Sequence, residues 1–169
     1  MSSTENVWEA ARSCNISKLA ILIASHANID AVDGSNITPL HYAVLNGHNG
    51  AVELLIEAKA NVNSRSRFGS TPLHFAVSGG HAAAAQVLIG AHASVNVDDL
   101  SGLSPLYHAA SLGNNAIVQI LVDSNAAVDV QDRSRQTPLH LAAAKDHTNV
   151  AQILLDANAS VNVTDEGKK

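Results

Sequence analysis

The sequence predicts an all-α solenoid assembled from one repeated helix–turn–helix unit. Three observations lead there. Thr71-Pro72-Leu73-His74-Phe75-Ala76 recurs at intervals of 33 residues, as Thr38-Pro39-Leu40-His41-Tyr42-Ala43, Ser104-Pro105-Leu106-Tyr107-His108-Ala109 and Thr137-Pro138-Leu139-His140-Leu141-Ala142. A second, mostly apolar stretch follows each copy, at residues 51–56, 84–89, 117–122 and 150–155. A polar segment rich in Asp, Arg, Ser and Gly then separates one copy from the next. All four prolines of the chain lie inside the motif, so the phase never slips. Such a period marks units that bury their apolar faces only by stacking.

The motif is a helix start. Thr or Ser before Pro is disfavoured from helical dihedrals, and its hydroxyl can accept from amides ahead, which suits an N-cap. Proline next is pre-set for the first helical position, where its missing N–H is not needed. Leu and Ala three apart, such as Leu73 and Ala76, then share one face. Gly47, Gly80 and Gly113 stand nine residues after the cap, where a left-handed residue would end the helix. Asp146 holds that place in the fourth copy and is a poorer stop. Each helix has about two turns, too few to stand alone in water.

In chain order, the spacing predicts helices over residues 4–13 and 17–25, an atypical first unit. There Trp8 replaces the motif His and Cys14 the glycine, and Glu5, Asn6, Glu9 and Arg12 give a polar face suited to a solenoid terminus. The second helices carry one polar residue each (Glu53, Gln86, Gln119, Gln152), so a narrow wet strip with packing on both sides is expected. The polar segments after Val62-Asn63, Val95-Asn96 and Val128-Asp129 read as turns or hairpins.

Composition narrows the function. Apolar residues make up 46% of the chain and aromatics only 3%, so the core is aliphatic. A formal charge of −5 argues against a general nucleic-acid or anionic-membrane binder. The single cysteine, Cys14, cannot form an internal disulfide, which fits a reducing compartment. No signal peptide and no apolar run of the roughly 20 residues that span a bilayer are visible. The sequons at Asn15, Asn36, Asn158 and Asn162 are then idle. A cytoplasmic monomer is expected.

With period, helix start, Gly-His pairs (Gly47-His48, Gly80-His81) and Val-Asn closures all in phase, the chain resembles the ankyrin-repeat family. The resemblance implies a capping unit at 1–32, repeats at 33–65, 66–98, 99–131 and 132–164, and the opening of a further unit at 165–169. The last full unit keeps an interior-type apolar pattern, which suggests a piece cut from a longer protein, the alternative being final helices covered by something else. His26, Lys59, His92, Asn125 and Asn158 stand where the family usually has a helix-end glycine. Lys tolerates the left-handed conformation least, so Lys59 is expected to be the weakest cap. The family's signature histidine implies a brace between neighbouring turns for His41, His74 and His140, altered in the third repeat where Tyr107 and His108 have changed places.

No catalytic constellation emerges. Metal binding needs three or four convergent ligands, and these histidines recur one unit apart, so neither metal nor cofactor is expected. Cys14 has no adjacent base and reads as a small buried filler. Asp99 takes the turn place where a carboxylate bonds the backbone. Binding of a protein partner remains, and the resemblance implies the concave face and hairpin tips as its site. Candidates are Ile37, Leu45 and Asn46 in the first full unit, with Arg65 at the junction. The second adds Arg67, Phe68, Ser70 and Ser78, with Asp98 after it. The third adds Leu100, Leu103, Ser111 and Leu112. Around the fourth stand Gln131, Arg133, Arg135, Gln136 and Lys145. Phe68 leads, because aromatics and Arg dominate binding hot spots. Arginines at the second and fourth tips suggest a partner with acidic groups around an apolar centre. Two alternatives stay open: these side chains lean on neighbouring tips, or the segment is a spacer with no partner.

Overall fold

A computed structural model describes residues 3–164, with side chains from residue 7 onward. The tail at 165–169 and the side chains of Glu5 and Asn6 therefore lie outside the described residues. Among the described residues there are ten helices and no strand. They pair as α1 (Ser3–Arg12) with α2 (Ile16–Ala24), α3 (Pro39–Leu45) with α4 (Asn49–Glu57), and α5 (Pro72–Gly79) with α6 (Ala82–Gly90). Then come α7 (Pro105–Leu112) with α8 (Asn115–Asp123), and α9 (Pro138–Ala144) with α10 (Thr148–Asp156).

The chain divides into two compact units, residues 1–93 and 94–169. In the first, α1, α3 and α5 stack side by side, and α2, α4 and α6 form a second row behind them. In the second, α7 packs on α9 and α8 on α10, with the same pairing of first and second helices. Leu40, Leu73 and Leu106 are buried at one position of successive motifs, and Ala43, Ala76 and Ala109 three residues on. Small side chains there let neighbouring helices approach closely. Each buried leucine contributes about 1.5–3 kcal/mol of apolar transfer.

Helix starts follow the motif. Thr38 Oγ1 accepts from the His41 amide at 3.4 Å, while His41 Nδ1 accepts from the Thr38 amide at 3.2 Å and lies 2.8 Å from its hydroxyl. Thr137 and His140 repeat this, and Thr71 and His74 share the His-to-cap bonds. Helix ends follow it too. Gly47, Gly80 and Gly113 have φ of 67°, 70° and 70°, and Asp146 adopts 58° despite its side chain. At the second-helix ends His26, Lys59, His92, Asn125 and Asn158 are all left-handed.

Two expectations need correction. Cys14 is exposed, with φ of 56°, so it occupies the glycine's backbone conformation without filling any core. The second helices are wetter than a one-residue strip. In α4, Ala51, Val52 and Leu55 are buried, but Glu53 and Glu57 are exposed and Leu54 and Ile56 only half-buried. One face of that row is solvated because only its other sides meet neighbours.

Candidate functional site

The polar segments fold as tight tips, each organised by its first residue. Asp33 Oδ1 accepts from the amides of Ser35 and Ile37 at 2.8 and 2.9 Å, and the Asp33 amide donates to the Ile37 carbonyl. Asp99 and Asp132 repeat the pattern, with Ser101 and Leu103, and with Ser134 and Gln136. Ser66 Oγ replaces the carboxylate at the second tip, accepting from Phe68 and Ser70. The residue before closure is left-handed each time: Asn36, Gly69, Gly102 and Arg135. Burial raises the carboxyl pKa of Asp33, but bonds from Ile37, Tyr42 and Ser35 outweigh it and hold the group below the ordinary value. The tip backbones are therefore held by their own hydrogen bonds.

Histidines and tyrosines join one copy to the next. His41 Nδ1 already accepts from an amide, so Nε2 carries the proton and donates to the Ser70 carbonyl at 3.3 Å. Burial pushes its pKa down to about 4, consistent with a neutral ring. A second set of histidines, in the turns between paired helices, reaches back to the preceding first helix. His48 Nε2 donates to the Arg12 carbonyl at 2.9 Å, His81 to Leu45 at 3.0 Å, and His147 to Ser111 at 3.3 Å. In the exchanged pair, His108 Nε2 meets Asp99 Oδ2 at 3.1 Å, the place Tyr42 takes at Asp33. Tyr107 instead donates across to Asp132 Oδ2 at 2.6 Å, the next tip. Trp8 supplies the first unit's brace through Nε1–H to the Ala31 carbonyl at 2.8 Å.

A family model for ankyrin repeats matches residues 7–99 and 84–165. The chain belongs to the ankyrin-repeat family. No curated protein matches it. Ankyrin repeats generally mediate protein–protein interaction and are typically non-catalytic. Among the described residues, no group of three or more His, Cys, Asp or Glu could hold a metal ion. No helix among them is long and apolar enough to cross a membrane.

Ankyrin register explains where each candidate residue lies. At the tip crown, Arg67, Leu100 and Arg133 share one position and are exposed, and Phe68 beside them is 72% exposed. Arg65, Asp98 and Gln131 share the position before the tip and are exposed as well. Ile37, Ser70, Leu103 and Gln136 close the turns and are half-buried, so they offer less side chain than the sequence suggested. At the first-helix ends Leu45, Asn46, Ser78, Leu112 and Lys145 are exposed and Ser111 is half-buried. Asn46 Nδ2 donates to the Tyr42 carbonyl of its own helix, and the Arg67 amide donates to the Ser35 carbonyl. In the second unit Arg133 Nη2 donates to the Leu100 carbonyl at 3.1 Å. Lys145 Nζ donates to the carbonyl and hydroxyl of Ser111 at 3.0 and 2.7 Å.

Sequence reasoning passed over Val32, which is 50% exposed. It occupies the same register as Arg65, Asp98 and Gln131, so the period itself was the signal. Leu139, Ala143, Ala151, Leu155 and Val161 line a groove of about 360 Å³ on α9 and α10 with His140 and Ser160, in the unit whose apolar pattern reads as interior-type from sequence without singling these residues out. Leu40, Val44 and Val52, three periods before Leu139, Ala143 and Ala151, are fully buried.

Proposed function

We propose that this chain is a non-catalytic interaction module that binds a protein partner through its hairpin tips and the exposed sides of its first helices. The reading includes a capping unit at 1–32, four repeats from residue 33 to 164, a cytoplasmic setting and a monomeric state. One observation carries it. Phe68 stands 72% exposed on a turn whose backbone is held by Ser66 and closed at Gly69, so the fold makes no use of the ring. An exposed aromatic on a turn held by its own hydrogen bonds is the kind of side chain that dominates binding hot spots. Affinity purification with the wild-type chain, and with a Phe68→Ala, Leu103→Ala, Leu112→Ala variant as control, tests this. A partner retained by the first and lost by the second, with the helical circular dichroism equal, is the expected outcome.

A spacer reading draws support from Arg133 and Lys145, whose polar heads bond the neighbouring copy. If the triple variant keeps every partner of the wild type, the spacer reading replaces the first.

A further inference from the structure

Among its described residues, the second unit has all its lysines and arginines at the fourth tip and the end of α9. Arg133, Arg135 and Lys145 are the only Lys or Arg between residues 94 and 164. Two crown the fourth tip and the third caps the end of α9. Among the described residues none of the three pairs with a carboxylate: Arg133 and Lys145 bond a neutral carbonyl and a carbonyl with a hydroxyl. The heads of Arg133 and Lys145 are thus held in place with no described carboxylate neutralising them. The tip carboxylates are otherwise engaged, Asp99 by two amides and His108, Asp132 by two amides and the Tyr107 hydroxyl. Asp98 has bonding of its own. Asp123 and Asp156 lie at second-helix ends, each accepting from a glutamine one turn back, and Asp129 is bonded to Ser160. Asp146 belongs to the turn between α9 and α10.

The leucines complete the pattern. Leu100 occupies the tip position that Arg133 takes one copy later, and Leu112 the helix-end position that Lys145 takes. They are 65% and 55% exposed. The bonds from Arg133 to Leu100 and from Lys145 to Ser111 set each cation beside the leucine-bearing copy. Two exposed leucines, one at the third tip and one at the end of α7, are therefore flanked by cations at the fourth tip and at the end of α9. α7 is about 12 Å long, so a segment reaching both leucines spans at least roughly four extended residues.

We infer that this face takes an acidic, apolar segment of a partner protein, its aliphatic or aromatic side chains on Leu100 and Leu112 and its carboxylates against Arg133, Arg135 and Lys145. The inference rests on the interaction reading above and names the chemistry of the partner. Charge complementarity favours it: the chain as a whole carries −5, so a local cationic face selects anions from a background that repels them. Three cations beside two leucines give little purchase on a nucleic-acid backbone, whose binding rests on many phosphate contacts.

The test selects a displayed library of short random peptides on the full chain at low salt, then measures one synthetic winner in solution. Winners rich in Asp or Glu beside Leu, Ile or Phe are expected. Their affinity should fall about tenfold in an Arg133→Gln, Arg135→Asn, Lys145→Gln variant, the sum of three exposed charge contacts. Asn is chosen at 135 because that residue has φ of 61°. Affinity should also fall as salt rises, and unchanged helical circular dichroism excludes unfolding. Charge-indifferent winners that are lost in Leu112→Ala overturn the acidic partner and leave the interaction reading standing. So do acidic winners that bind the triple variant as tightly, or that duplex DNA displaces. A library that yields no binder overturns both.

Discussion

His41 shows how one ring can fix both a helix start and a contact between copies. Its Nδ1 lone pair is spent on the Thr38 amide and its Nε2 proton on the Ser70 carbonyl, so the bound form is neutral. Burial holds its pKa near 4, below the 6.5 of an unfolded histidine, with Asp33 and His74 as the nearest titratable neighbours. The unfolded chain therefore takes up the proton first as pH falls. The stabilisation is full above about pH 6.5 and is lost between there and pH 4, on the order of 3 kcal/mol from this one group. Urea denaturation across that window checks it, and His41→Gln should flatten the slope. Backbone conformation gives a second residue-scale expectation. Gly47 has φ of 67°, and a Cβ there would lie 2.7 Å from the His81 ring. Gly47→Ala should cost at least about 2 kcal/mol, joining the left-handed penalty to a steric one. Lys59→Gly should do the reverse and add up to about 1 kcal/mol, because Lys59 bears the same strain at 71° with no glycine to relieve it. Equal thermal midpoints for Lys59→Gly and the parent would count against strain at that cap.

At the scale of the element, the exchange of His and Tyr in α7 rewires the helix start without breaking it. Ser104 caps α7 alone, its hydroxyl accepting from the Tyr107 amide at 3.2 Å, where the other motifs have the histidine reciprocating. In return the Tyr107 hydroxyl donates to Asp132 and ties α7 to the tip before α9. Burial, then the Asp132 carboxylate, push the phenol pKa well up, while Tyr107 helps hold Asp132 below the ordinary carboxylate value against the effect of burial. Tyr107→Phe should therefore destabilise the second unit by about 1–2 kcal/mol, as expected for a bond to an ionised partner. Tyr42→Phe probes a tyrosine–aspartate bond within one copy, to Asp33, and its effect should be smaller because that ring is only half-buried. A larger loss for Tyr42→Phe in chemical denaturation would reverse this ranking. Sequence flagged the exchange as an altered brace. That Tyr107 would reach the following tip required knowing which tip lies beside it.

For the molecule as a whole, Phe68 is the candidate residue whose side chain contributes least to the fold. Phe68→Ala should change stability by no more than about 0.5 kcal/mol, since the ring buries little, while removing the binding proposed above. A melting temperature lowered by many degrees would mean that the ring supports the fold instead. Much was legible in advance. Period, proline and Thr or Ser placement dictated where α3, α5, α7 and α9 begin, because those residues restrict their own dihedrals and cap nearby amides. Left-handed ends were legible at Gly47, Gly80 and Gly113 for the same local reason. Exposure was less so: Cys14 looked like core and is in water, and Val32 was overlooked though its register pointed to it. The sequence by itself determined the repeated unit, its helix boundaries and its aliphatic core, all properties of residues a few positions apart. Only the tertiary structure decided which turn each His and Tyr bonds, which leucines stay wet, and that Arg133 and Lys145 anchor on the neighbouring copy. Those outcomes depend on groups 25 to 36 residues apart, brought within hydrogen-bond reach by stacking and by nothing local.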